Sequence, residues 1–185
     1  MVFLNFVAAG LLLGVLLGGR LSALGRLRIR SWWLAYVAIA LQIAAFPSGV
    51  FPWSTPDDVA SVLWVGSYAA LVAVVVRNIR LPGVAVVGLG QLCNLIAIVA
   101  NGGHMPVTRG ALDAAELSYE LRNNSIAVAQ PHIAPLVDRW AVPGWLPFGN
   151  VYSVGDVLIG VGILVAVVVA MQPRLVRRIH SLEPS

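Results

Sequence analysis

The sequence predicts an all-α polytopic membrane protein, a five-helix transmembrane bundle with a helical external cap. Three observations lead there. The 185-residue chain is 59% hydrophobic and only 11% charged, whereas soluble domains carry roughly 25% charged residues. Its apolar residues gather into five stretches, each long enough for a span. Every basic residue is an arginine, and most arginines stand in short segments after the first, third and last of those stretches.

The first span, 2–19, holds no charge and is followed by Arg20, Arg26, Arg28 and Arg30. A secretory signal has the reverse order, basic before apolar, so the N-terminus is placed outside. The second, 31–46, begins with Trp32 and Trp33 and stops before Pro47 and Pro52, with Phe51 and Trp53 beyond; indole rings at both ends suit the two membrane interfaces. The third, 59–76, follows Asp57 and Asp58 and precedes Arg77 and Arg80. The fourth is 83–100 and the fifth 154–171, leaving a basic tail, 172–185, with Arg174, Arg177 and Arg178. Arginines in short loops stay cytoplasmic, and one arrangement satisfies all three clusters: N-terminus outside and C-terminus on the cytoplasmic side of the membrane. These lengths are at the short end for a hydrocarbon core about 30 Å thick, so little tilt is predicted. The whole chain reads as a single membrane domain.

Small residues recur at four-residue spacing: Gly10, Gly14 and Gly18 on the first helix, Gly66 and Ala70 on the third, Gly162, Ala166 and Ala170 on the fifth. Such stripes let helix backbones approach closely. Contact within the bundle is the simpler reading, and self-association through the first helix the alternative. A net charge of +4 would suggest nucleic acid in a soluble protein, but arginines flanking apolar spans are matched by anionic lipid headgroups instead. Membrane lipids, and other membrane subunits, are therefore the partners predicted, and nucleic acid is not. Cys93 is the lone cysteine, which excludes an intrachain disulfide and a cysteine metal cluster.

Between the fourth and fifth spans lies a long external segment, 101–153. Asp113, Glu116 and Glu120 recur at helical spacing opposite Leu112, Ala115 and Leu121, which predicts a helix over 111–129 that Pro131 and Pro135 end. The stretch Trp140 to Phe148 is apolar and aromatic but broken by prolines, so it lies on the outer leaflet or folds over the bundle. Two motifs flank this segment: Asn101-Gly102-Gly103-His104-Met105-Pro106, and Phe148-Gly149-Asn150-Val151-Tyr152-Ser153-Val154-Gly155-Asp156. Irregular polar backbone at a membrane boundary persists only where protein or a wet cavity satisfies it. Gln91, Asn94 and Asn101 share one helix stripe, which turns inward because lipid would leave its amides unpaired. A polar pocket is thus predicted, its ligand-binding residues being Gln91, Asn94, Asn101, Gly102, Gly103, His104, Asn150, Tyr152, Ser153 and Asp156.

Asp156 also has a purely structural reading, since an acid in the first helical turn accepts hydrogen bonds from free backbone N–H groups, with Ser153 able to cap the same turn. His104 and His132 lack metal-ligand spacing, so no metal site is predicted, and His104 is expected to hydrogen-bond within the Gly-Gly turn. No phosphate loop, dinucleotide fingerprint, nucleophile elbow or haem-attachment motif occurs, and no cofactor is predicted.

The pairing of Asn-Gly-Gly-x-Met-Pro at 101–106 with Tyr-Ser-Val-Gly-Asp-Val-Leu-Ile at 152–159 resembles an uncharacterised bacterial integral membrane family catalogued only as a domain of unknown function; the stretch Leu12 to Ser22 is similar to its usual start. The resemblance implies a small membrane protein and no particular activity. More locally, residues 152–159 are similar to the last-helix motif of lipoprotein signal peptidases, which implies a catalytic position for Asp156. Ser153 and Gly155 stand where that motif has asparagine and alanine, and its Gly-Asn-x-x-Asp-Arg partner is missing. An aspartyl mechanism needs a second carboxyl; Asp138 supplies it only if the external segment folds back over the helix mouth. Three function classes follow: a non-catalytic subunit or lipid- or ligand-binding component, a membrane-embedded aspartyl-type hydrolase using Asp156 and Asp138, and a small transporter. The last would call for internal repeats, and none is found.

Overall fold

The computed structural model describes residues 2–47, 51, 53–116, 125–142 and 150–172. A helix occupies each of the five apolar stretches: α1 (Val2–Leu16), α2 (Trp33–Ala45), α3 (Asp57–Arg77), α4 (Val84–Ala100) and, after the long insertion, α6 (Val154–Ala170). The insertion contributes β1 (Met105–Val107), a short α5 (Arg109–Ala114), β2 (Ser125–Ala127), β3 (Trp140–Val142) and β4 (Asn150–Tyr152). Among the described residues the protein is mostly helical. By length and composition α3 alone is long and apolar enough to cross a membrane; the other four are apolar but shorter.

The helices end where backbone chemistry stops them. Gly18 takes a left-handed φ of 77° just beyond α1. The Gly18 N–H then donates to the Val15 carbonyl and the Gly19 N–H to the Gly14 carbonyl, the paired closure that a glycine after a helix allows. The first helix is therefore three residues shorter than its apolar stretch. Gly102 and Gly103 do the same for α4, with φ of 74° and 88° and the Gly103 N–H on the Ile98 carbonyl at 2.9 Å.

The packing order runs α2, α3, α4, α6, α1, with α4–α6, α2–α3 and α1–α6 the closest pairs. Gly10 and Gly14 of α1 face Leu164, Val167 and Met171 of α6, so the glycine face of α1 is filled within the chain. α4 and α6 meet backbone to backbone: a Cβ on Gly90 would lie 2.8 Å from the Ile159 nitrogen, and one on Gly155 would lie 2.6 Å from the Gly90 carbonyl oxygen. Between α2 and α3 the contact includes a polar tie, with Gln42 donating to Ser67 Oγ at 3.2 Å and Ser67 to the Trp64 carbonyl at 2.7 Å.

The insertion is not the helix predicted over 111–129. α5 stops at Ala114, Glu116 turns the chain with a φ of 56°, and Ser125–Ala127 is a strand paired in parallel with β1. Residues 117–124, including Glu120, Leu121 and Arg122, lie outside the described set, as do Trp145 to Phe148 of the aromatic stretch. The acid periodicity did place Asp113 and Glu116 on the exposed side and Leu112 and Ala115 on the buried one. What it missed is that β1 presents free N–H and C=O groups to a neighbour. A buried strand needs partners, and a β-branched, apolar segment supplies them. β3 and β4 pair antiparallel, and Val107, Ala111, Leu112, Ala115 and Val151 form a small core beneath.

Two glycine replacements separate close approach from composition. Gly90→Ala drives a methyl into the α6 backbone and should cost about 1–3 kcal/mol, the usual range for overpacking. Gly66 is exposed, and a methyl added there would meet no heavy atom within 4 Å, so Gly66→Ala should gain up to about 1 kcal/mol of helix stability. Unfolding in mild detergent, followed by circular dichroism, ranks the two against the natural chain.

Candidate functional site

The predicted pocket centres on the junction of α4 and α6. Ser153 caps α6, its Oγ accepting from the Asp156 N–H at 3.1 Å, while Asp156 Oδ2 accepts from the Ser153 N–H at 3.1 Å. This reciprocal capping box satisfies two otherwise orphaned donors at the helix start. Asn94 joins it from α4: its Nδ2 donates to Asp156 Oδ1 at 2.9 Å and its Oδ1 accepts from Ser153 Oγ at 2.8 Å. Gly155 makes room, because a Cβ there would collide with the Asn94 side chain. Both Asp156 oxygens thus accept a hydrogen bond, and Ser153 and Asn94 are buried.

Asp138 comes to this junction from the cap. Its N–H donates to the Pro106 carbonyl and its own carbonyl accepts from the Thr108 N–H, both at 3.0 Å, so β1 is bridged on one side by Asp138 and on the other by β2. Asp138 is 7% exposed, and among the described residues its Oδ1 has no hydrogen-bond partner. Burial, and then the negative charge of Asp156, push its carboxyl up to about 8 from an ordinary 3.8. The shift favours the protonated carboxyl. The turn at 134–136, just before Asp138, packs against both α4 and α6. Tyr68 of α3 lies within electrostatic range of both carboxyls, and its ring packs edge-on to Trp64, whose Nε1 is buried without a partner.

The remaining predicted residues have other surroundings. Asn101 ties the cap to α4, donating to the Ala97 carbonyl at 2.7 Å and the His132 carbonyl at 3.0 Å, and accepting from the His132 N–H at 2.8 Å. Gly103 packs on Ser61 of α3. His104 turns its ring to Phe46, centroids 6.5 Å apart. Asn150 pairs with Val142, and Tyr152 stacks on Trp140, over which Arg139 sits at 5.7 Å. Gln91 is buried one turn below Asn94 but lines a cavity at the arginine end of the bundle. Asn94, Ser153, Asp156 and Asp138 are the cluster; Gly102 and Gly103 shape the turn above it.

Tyr68 and Trp64 carry no motif that marks them as site residues. The available signal was two aromatic polar tips four residues apart, on one face of an apolar helix. No group of three or more His, Cys, Asp and Glu suited to a metal occurs among the described residues.

The family model of DUF5317, a family of unknown function, matches residues 26–168, and the chain belongs to that family. The match includes both glycine motifs and begins after the opening stretch Leu12 to Ser22. No curated protein and no solved structure gives a significant match.

The raised Asp138 carboxyl has a pH signature. Between its unfolded value near 3.8 and its folded value near 8, the folded chain binds the proton that the unfolded chain releases. Its contribution to stability is complete below the lower value and is lost as pH rises through the upper one. Unfolding temperatures across that window should fall with rising pH for the natural chain and stay nearly level for Asp138→Asn. Parallel curves would show that Asp138 titrates normally.

Proposed function

We propose that the chain is a multi-pass protein of the bacterial cytoplasmic membrane, non-catalytic, that binds a ligand at the outer membrane boundary through the Asp138–Asp156–Asn94 cluster. One observation carries the site: a buried carboxyl whose Oδ1 has no partner among the described residues, under a cap tied down at Asn101. A bare buried acceptor costs about 1–3 kcal/mol, and a ligand that donates a hydrogen bond removes that cost. A hydroxyl, amide N–H or amine fits. A cationic amine would also displace the Asp138 proton, since a positive neighbour lowers a carboxyl pKa.

Several features support the membrane reading. Only 22% of the most apolar window of α3 is buried, where the core helix of a soluble protein would be mostly covered. Large apolar side chains are exposed along every long helix, among them Leu12, Ile39, Val62, Leu92 and Val161. Exposed Trp32 and Trp33 mark one end, and the stacked Phe51 and Trp53 mark the other, as interfacial aromatics do. The arginine distribution orients the bundle with the cap outside. Lipid is a partner on this reading. Self-association through Gly10, Gly14 and Gly18 would have to displace the α6 contacts of the first two.

A second reading has a specific observation in its favour. Two carboxyls whose environments differ, Asp138 buried with a bare oxygen among the described residues and Asp156 accepting a hydrogen bond on each oxygen, are the kind of pair that an aspartyl hydrolase divides into acid and base. Asp138 would then be the acid and Asp156 the base toward water.

Orientation is tested in a Cys93→Ser background by an impermeant maleimide on intact cells. Gln130→Cys should label and Ser181→Cys should be protected; the reverse pattern inverts the topology and the site with it. For function, native mass spectrometry of gently extracted protein should find a small bound molecule that Asp138→Asn loses. A protein companion insensitive to that change would make the chain an assembly subunit instead. A cellular activity abolished by Asp156→Asn at unchanged unfolding temperature would favour the hydrolase.

A further inference from the structure

A second site lies at the opposite end of the bundle. Between α3, α4 and α6 is a cavity of about 680 Å³, within the roughly 300–1,000 Å³ range of small-molecule sites. Its walls are apolar, formed by Leu71, Val75, Val84, Val87, Ala166 and Val169. Arg28, Arg30, Arg77 and Arg80 line it as well, and no acidic residue does among the described residues. This arginine rim is held in place. Asn78, 5% exposed, donates to the Arg30 carbonyl and accepts from the Arg30 N–H, both at 2.8 Å, and a third bond to the Val74 carbonyl anchors it to α3. Arg77 in turn donates to Ser31 Oγ. The loop bearing Arg28 and Arg30 is therefore fastened to the loop that carries Arg77 and Arg80.

Deep on one wall stands Gln91, seven residues into α4 from Val84 and so about 10 Å along the helix axis. It is 8% exposed, and among the described residues its Oε1 has no hydrogen-bond partner. A half-turn about its last bond exchanges Oε1 for an N–H in the same place. The cavity thus combines a cationic mouth, apolar walls and one deep amide able to serve an acceptor.

We propose that this cavity holds one anionic phospholipid, its phosphate at the four arginines, an ester carbonyl on the Gln91 amide and an acyl chain along the apolar walls. Guanidinium groups match phosphate oxygens in pairs, and basic pockets between membrane helices are suited to anionic headgroups. The chain's own tail is the wrong occupant: residues 173–185 carry Arg174, Arg177 and Arg178 against a single Glu183, the same sign as the rim. The site shares no residue with the Asp138 cluster, so either can fail alone.

The test is photo-crosslinking of the full chain in phosphatidylcholine vesicles doped with phosphatidylglycerol that carries a diazirine on its acyl chain. Adducts should map to Val75, Val87 and Val169. Arg28→Gln with Arg80→Gln should reduce their yield about thirtyfold, since each of the two arginines near an anionic headgroup contributes about 1 kcal/mol. The proposal is overturned by adducts confined to lipid-facing Val62, Val72 and Leu89, by equal yield from a diazirine phosphatidylcholine, or by full competition from inorganic phosphate. If the double variant does not fold, the adduct map and the headgroup comparison on the natural chain still decide.

Discussion

α4 and α6 touch through their backbones, and the site exists because they do. At Gly90, Gly155 and Gly162 a Cβ would run into backbone atoms of the neighbouring segment, so the separation of the two helices is set largely by main-chain contact. At that spacing the Asn94 amide reaches both the Ser153 hydroxyl and the Asp156 carboxylate, at 2.8 and 2.9 Å. The same amide fills the space that a side chain at 155 would take. Close packing and polar satisfaction are here one constraint: a larger residue at 155 would remove the amide, and without it the capping box would lose its link to α4. In an apolar bundle, dispersion and a few such hydrogen bonds are the forces holding helices together.

The cap follows from that junction. α6 starts where β4 ends, and β4 pairs with β3, so Asp138, two residues before β3, is brought back over the end of α4. β1 leaves α4 through two left-handed glycines and receives a partner on each side. Asn101 closes the third connection by pairing with both backbone polar groups of His132. These are backbone-directed bonds, the kind a chain needs where water is scarce. Their joint effect is to press a carboxyl into a place with too few donors.

Much of this is legible in the sequence where the signal is local. Five apolar stretches become five helices because composition over some seventeen residues decides helix burial without reference to distant chain. The stripe of Gln91 and Asn94 reads as inward-facing, and both are buried; Ser153 and Asp156 read as a helix start, and they form a capping box. The failures are non-local. Acid spacing over 113–120 fits a helix, but a parallel partner for β1 has to come from twenty residues downstream. His104, Asn150 and Tyr152 look like pocket residues by type and position; the aromatic partner of His104 is Phe46, far back along the chain, and Asn150 and Tyr152 take theirs from β3. Tyr68 carries no motif at all. Its relevance comes only from α3 lying beside the cap, a fact of tertiary packing.

Within the cluster, the two carboxyls are not equivalent. Asp156 has a donor on each oxygen, one from the backbone and one from Asn94. Changing its partners would uncap α6 and loosen the helix pair together. Asp138 has the opposite standing. Its fold role is discharged by its backbone, through the bridge to β1, which leaves the side chain with no structural duty among the bonds described and with a bare Oδ1. A buried group that does not hold the fold can change state without unfolding it. Burial first, and the Asp156 carboxylate second, favour the protonated form of Asp138; a positive neighbour would act in the opposite sense.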